Sequence, residues 1–136
     1  MTNIALVHSI NSQIYDEISM HTPKGFTTVS VDVSKPISNS TSLVKDVEFI
    51  IVCGNVIPDE IIEAAENVRL IQLLSAGWDF LDADLIRGLE IPVANNGGAN
   101  SIAVAEHTIL LILATYRRLG VYLPAVRAGG WPRTGN

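Results

Sequence analysis

The sequence predicts an α/β fold: a flavodoxin-like, doubly wound parallel sheet of about five strands, followed by a long C-terminal helix. Three observations carry that reading. Short apolar runs recur along the chain, and stretches with helical periodicity lie between them. Two of the runs, Val47–Cys53 (V-E-F-I-I-V-C) and Leu70–Leu74, are mostly apolar, as strands covered on both faces are. Alternating strands and helices call for parallel strands with helices on both faces.

Asn3–Val7 reads as the first strand, and Asn11–Met20 as a helix with Ile14, Tyr15 and Ile18 on one face. Pro23-Lys24-Gly25 is a turn. From Phe26 to Val33 the chain alternates, with Val29, Val31 and Val33 on one side and Thr28, Ser30 and Asp32 on the other, which suits an edge strand with one exposed face. Ser34–Ser42 is expected to be a polar loop. Pro58-Asp59-Glu60 opens a helix to about Glu66, with proline and acids at the favourable end. Asp82–Arg87 is a short helix ended by Gly88, and Ile91–Ala94 a last short strand. Asn100 caps a long helix from Ser101 to about Arg118. Beyond Gly120, the residues Pro124, Gly129, Gly130, Pro132 and Gly135 punctuate a tail expected to form no closed element.

The length, 136 residues, suits one domain with or without a tail, large enough to fold without a disulfide or metal staple. Hydrophobic residues make up 48% and charged residues 17%, and the mean hydropathy is +0.32, which excludes a disordered chain. A net charge of −5 argues against nucleic-acid binding. The one cysteine, Cys53, excludes an internal disulfide and fits a reducing, cytoplasmic setting. Met1-Thr2-Asn3 has no basic start, so no signal peptide is expected. The most apolar stretch, Ile102–Tyr116, is interrupted by Glu106-His107 and is shorter than the ~20 residues that cross a bilayer. It reads as a buried helix, with Glu106 and His107 as a satisfied buried pair and no membrane partner.

In open parallel sheets ligands bind at the carboxyl ends of the strands. Cys53-Gly54-Asn55, Ser75-Ala76-Gly77-Trp78-Asp79 and Asn95-Asn96-Gly97-Gly98-Ala99-Asn100-Ser101 fall there. Each is either an ordinary turn or a nest of backbone N–H groups suited to an anion. Asn100 has two open roles, as helix cap or as an amide donor to an anion in the positive field of the helix. Several site types are excluded. Val7-His8-Ser9 and Cys53-Gly54 stand where a phosphorylated receiver needs acids. Ser9-Ile10-Asn11-Ser12 lacks the glycine of a flavin phosphate loop, and no G-x-G-x-x-G or G-x-x-x-x-G-K-[ST] occurs. His8, His21, His107 and Cys53 lack metal-ligand spacing, and no base can be assigned to Cys53, which reads as a small buried apolar residue.

Ser75-Ala76-Gly77-Trp78-Asp79-Phe80-Leu81-Asp82, Ile91-Pro92-Val93-Ala94-Asn95, Asn100-Ser101-x-x-Val104-Ala105-Glu106-His107 and Val126-Arg127-Ala128-Gly129-Gly130-Trp131, taken together, resemble the N-terminal part of the D-isomer-specific 2-hydroxyacid dehydrogenases. The resemblance is motif-specific from about Leu70 to Trp131. It implies a flavodoxin-like substrate-domain segment over residues 1–100. Residues 101–136 would form an interdomain and dimerisation helix and the start of a nucleotide-binding domain. It implies that Ala76, Gly77 and Trp78 present N–H groups to a substrate carboxylate, that Asn100 contacts substrate, and that Ser101 lies near the cofactor. Gly97 departs from the family pattern, which often has proline there. The family's dinucleotide loop, substrate-binding arginine, acidic partner and catalytic histidine have no counterpart here, so no catalytic residue is assigned.

The implied function is that of the N-terminal, truncated part of an NAD(P)-dependent oxidoreductase that interconverts 2-hydroxy and 2-keto acids. NAD or NADP would serve the complete enzyme and bind this chain weakly at most. The chain alone would be inactive, and a homodimer would form through residues 101–131. The competing expectation is a non-enzymatic flavodoxin-like module that binds a small anion or a protein partner.

Overall fold

The computed structural model describes residues 2–9 and 12–132. Asn11, the side chain of Ile14, and Gly135 lie outside the described residues. Two compact units are present, Met1–Gly97 and Gly98–Asn136.

The first unit is built on five parallel strands: β1 (Thr2–His8), β2 (Phe26–Asp32), β3 (Phe49–Cys53), β4 (Leu70–Leu73) and β5 (Val93–Ala94). Their order is β2-β1-β3-β4-β5, the flavodoxin-like arrangement expected from the alternation of elements. Connecting helices are α1 (Ser12–Met20), α2 (Thr41–Val44), α3 (Asp59–Ala64) and α4 (Ala83–Gly88). The step from β1 to β2 runs opposite to every later step across the sheet. Right-handed crossovers therefore place α1 on one face and α2, α3 and α4 on the other.

Burial follows from this topology. Ala5, Val7, Val31, Ile50, Val52, Ile71 and Leu73 project from alternate strand positions into one core with Val44, Ile57, Ile61 and Ile62. Each fully buried Ile or Leu there contributes about 1.5–3 kcal/mol relative to exposure. The other face carries Ile4, Phe26, Phe49, Ile51, Leu70 and Gln72. On it Tyr15 of α1 lies 5.6 Å from the His8 ring, and Arg69 spans the Phe49 ring while pairing with Glu48 at 3.1 Å.

β2 is an edge strand, as its alternation predicts, with Val31 buried and Thr27 and Ser30 exposed. β5 is shorter than expected because Pro92 has no N–H to donate, although its carbonyl still accepts from the Ile71 N–H at 3.0 Å. Asp82 caps α4 as a capping aspartate should, accepting from the Asp84 and Leu85 N–H groups, both at 2.9 Å.

The polar loop expected over Ser34–Ser42 is replaced by more ordered structure. A short 3-10 turn occupies Ile37–Asn39 and α2 follows directly. Asp32 initiates this segment by accepting from the Ser34 hydroxyl at 2.6 Å and the Ser34 N–H at 3.0 Å. Ile37 packs against the core and Val44 is fully buried within it, so two apolar anchors order a stretch that is otherwise serine-rich.

In the second unit, α5 (Ser101–Tyr116) is followed by α6 (Leu119–Arg127), at 73° to it. No single helix among the described residues is long and apolar enough to cross a membrane. Helix α6 corrects the expectation of an irregular tail. Arg118 opens α6 from the left-handed region (φ +52°), and its guanidinium lies 5.8 Å from the Tyr122 ring. Pro124 is accommodated inside α6 at the loss of one backbone donor. The helix closes where Gly129 takes φ +81° and the Gly130 N–H donates to the Ala125 carbonyl at 2.9 Å. A Cβ on Gly130 would stand 3.0 Å from that carbonyl oxygen.

The buried reading of Ile102–Tyr116 is also corrected, because α5 contains no buried residue. Glu106 and His107 are exposed and are not a buried pair. Neighbours in a helix point about 100° apart and do not face each other.

Candidate anion-binding turn

Where β4 ends, the chain enters the turn Ser75-Ala76-Gly77-Trp78, at the carboxyl edge of the sheet beside the end of β5. All of its carbonyls are engaged. The Ser75 carbonyl accepts from the Asn96 N–H at 3.0 Å and the Trp78 carbonyl from the Leu81 N–H at 3.0 Å. The Ala76 carbonyl accepts from the Asn95 side-chain amide at 2.7 Å, and the Gly77 carbonyl from the Ser75 hydroxyl at 2.8 Å.

The N–H groups behave differently. Those of Ala76, Gly77 and Trp78 donate to no protein acceptor among the described residues. In a planar trans peptide the carbonyl and the following N–H point in opposite directions. Fixing the carbonyls of Ser75, Ala76 and Gly77 therefore fixes the N–H groups of Ala76, Gly77 and Trp78. Satisfied acceptors next to open donors give a local field that favours an anion.

Gly77 lies beside Asp79: a Cβ there would stand 3.6 Å from the Asp79 carboxylate, an ordinary contact distance. Asp79 places a negative charge close to these open N–H groups. Trp78 is about half exposed. With Asn95, Arg87, Leu73, Ile86 and Ile91 it lines a cavity of about 750 Å³ on the same side of β4 and β5. The Arg87 guanidinium in that wall is paired with Asp84.

Ala76, Gly77 and Trp78 thus sit together in one turn. Asn100 and Ser101 open α5 in the second unit. Asn100 occupies the cap position without a side-chain capping bond. That corrects the expected cap. Its backbone carbonyl accepts from the Val104 N–H at 2.9 Å, while the Ser101 hydroxyl reaches back to the Gly98 carbonyl at 2.9 Å. Gly98 adopts φ +84°, a conformation that a side chain would strain.

Cys53, at the end of β3, is nearly fully buried. Burial pushes its thiol up to about 11, which suits a packing residue and not a nucleophile. His8 is buried too, with Nε2 2.8 Å from the Ser30 hydroxyl. Sequence reasoning did not single out Asn95 or Ser75. Both lay inside the turns it marked, but their bonds to Ala76 and Gly77 leave no spacing pattern.

Comparison with known proteins agrees with this fold. Residues 4–128 match the family described as D-isomer specific 2-hydroxyacid dehydrogenase, catalytic domain. The D-3-phosphoglycerate dehydrogenase of Archaeoglobus fulgidus is 36% identical over 74 residues, which are 54% of this chain and 14% of that protein. The NAD+-bound 3-phosphoglycerate dehydrogenase of Entamoeba histolytica superposes with a TM-score of 0.66 and 27% identity, over 85% of this chain and 39% of that one. A D-isomer specific 2-hydroxyacid dehydrogenase family protein of Aeromonas salmonicida shares the fold with a TM-score of 0.76 and 16% identity, over 98% of this chain and 42% of that one. The chain spans less than half the length of each. The family match spans nearly the whole chain, and the chain belongs to the D-isomer specific 2-hydroxyacid dehydrogenase family.

Proposed function

We propose that this chain is the substrate-domain portion of an NAD(P)-dependent oxidoreductase that interconverts 2-hydroxy and 2-keto acids, and that it anchors the substrate carboxylate. The observation that supports this is the turn at Ala76-Gly77-Trp78, whose carbonyls are all engaged and whose N–H groups are open. Donors held in place before the ligand arrives need no reorganisation to stabilise a carboxylate or the charge of the reacting acid. In the second unit, Asn100, whose side chain makes no capping bond, is assigned to substrate contact and Ser101 to the cofactor side.

When bound, the nicotinamide supplies or accepts the hydride. No G-x-G-x-x-G phosphate loop is among the residues of this chain, so they do not supply the cradle for the dinucleotide phosphates. Its role is therefore to bind and orient the acid. We assign residues 1–100 to the substrate-domain segment and residues 101–136 to the interdomain and dimer-forming segment. The apolar surface of α5, with Ile102, Ile109, Leu110 and Leu113 all more than half exposed, supports a homodimer through residues 101–131. Membership of a dehydrogenase family disfavours a purely non-enzymatic module.

Calorimetry with oxalate, and with uncharged oxamide as control, tests the anchoring role. Oxalate should bind with a dissociation constant on the order of millimolar, since backbone donors act without a cation. Oxamide should not bind. Equal affinity for the two would contradict the proposal.

A further inference from the structure

We infer that Asn95 is the positioning residue of the anion-binding turn, a role that rests on the carboxylate-anchoring function proposed above. Three peptide planes set the open N–H groups. The plane before Ala76 is held by backbone, through the Asn96 N–H, and the plane before Trp78 is held within the turn by the Ser75 hydroxyl. The plane between Ala76 and Gly77 is held by a side chain from the end of the neighbouring strand, the Asn95 amide at 2.7 Å from the Ala76 carbonyl oxygen.

Only the NH2 end of the Asn95 amide can satisfy a carbonyl, so the group's orientation follows from its partner. Because the Ala76 carbonyl and the Gly77 N–H are antiparallel across one rigid plane, Asn95 aims the Gly77 N–H without touching the ligand. Glycine makes this control necessary. With no Cβ at Gly77, the backbone there has the widest choice of conformations in the turn. The bond joins residues 19 apart in sequence and ties the β4 turn to the segment that leads toward Asn100.

The test is an oxalate titration of the isotope-labelled 136-residue chain, followed at the Gly77 and Trp78 amides, for the unmodified protein, Asn95→Ala and Asn95→Gln. Asn95→Ala should weaken oxalate binding about fivefold, because the freed Gly77 peptide plane, worth about 1 kcal/mol to order, must then be fixed on binding. It should also move the Gly77 amide resonance in the absence of ligand, with the sheet resonances unchanged. Asn95→Gln, which retains the donor, should recover part of the affinity. A purely structural role would lower the thermal midpoint and leave the oxalate affinity as in the unmodified chain, and that result overturns the inference.

The Asn95 side-chain amide protons of the unmodified chain give a second reading that does not depend on a variant folding. They should show the small temperature coefficient of a hydrogen-bonded group and shift in step with Gly77 as oxalate is added. Solvent-like behaviour overturns the inference. If oxalate leaves residues 76–78 unmoved while Asn95 remains hydrogen-bonded, the anchoring function itself has failed, and positioning for a ligand falls with it.

Discussion

The Asn96 N–H donates to the Ser75 carbonyl at 3.0 Å, which joins the segments leaving β4 and β5 beyond the last residue of either strand. The turn is therefore tied by backbone to the segment leaving β5, at the edge of the core below it. Ile71 and Leu73 of β4 are fully buried in that core.

Asp79 should oppose ligand binding. Its carboxylate lies next to Gly77, and like charges a few ångströms apart in partly solvated surroundings repel by about 1 kcal/mol or somewhat more. Asp79→Asn is expected to strengthen oxalate binding by about fivefold at low salt, with the gain shrinking as salt is added. Calorimetry at two ionic strengths checks both parts.

Cys53 should resist alkylation. Burial raises its thiol from the ordinary 9.0 to about 11. At about pH 8 that leaves roughly one part in a thousand as the reactive thiolate. Iodoacetamide should label the native chain slowly and the denaturant-unfolded chain quickly, as read by mass spectrometry.

Asp32 should titrate low. The Ser34 hydroxyl, then Lys35, then the Ser34 N–H hold its carboxyl down from 3.8 to about 2. A carboxyl depressed in the folded state adds stability that is present above its unfolded value and is lost as pH falls through about 2. Following the Asp32 carboxyl carbon by NMR should place its midpoint near that value, and Ser34→Ala should move it upward.

Self-association should depend on α5. Leu111 and Leu113 are each about half exposed in a helix with no buried residue. A single Asp at the position facing the second copy should convert a dimer mass to a monomer mass in light scattering without loss of helical signal. A monodisperse monomer of the unmodified chain at high micromolar concentration would contradict the dimer.

Much of this architecture is legible in the amino-acid order because period-two and continuous apolar patterns translate directly into buried strands. Ala5, Val7, Ile50, Val52 and Ile71 are such cases. Helix α2 was hidden because Ser38, Ser40, Thr41 and Ser42 read as loop, while the ordering force came from Ile37 and Val44 meeting a distant core. Helix α6 was hidden because Gly120 and Pro124 ordinarily break helices. The location of the turn at Ala76-Gly77-Trp78 was legible, but its mechanism was not. The bonds from Asn95 and Asn96 exist only once β5 lies beside β4, and no local pattern encodes that adjacency.

The most direct measurement of the central claim is the residue-resolved amide spectrum of the unmodified chain during oxalate addition. The account predicts that Ala76, Gly77 and Trp78 move together, saturate in the millimolar range with one common affinity, and shift as amides do when they gain an acceptor. Movement confined to other surfaces, with these three amides silent at saturation, would contradict it.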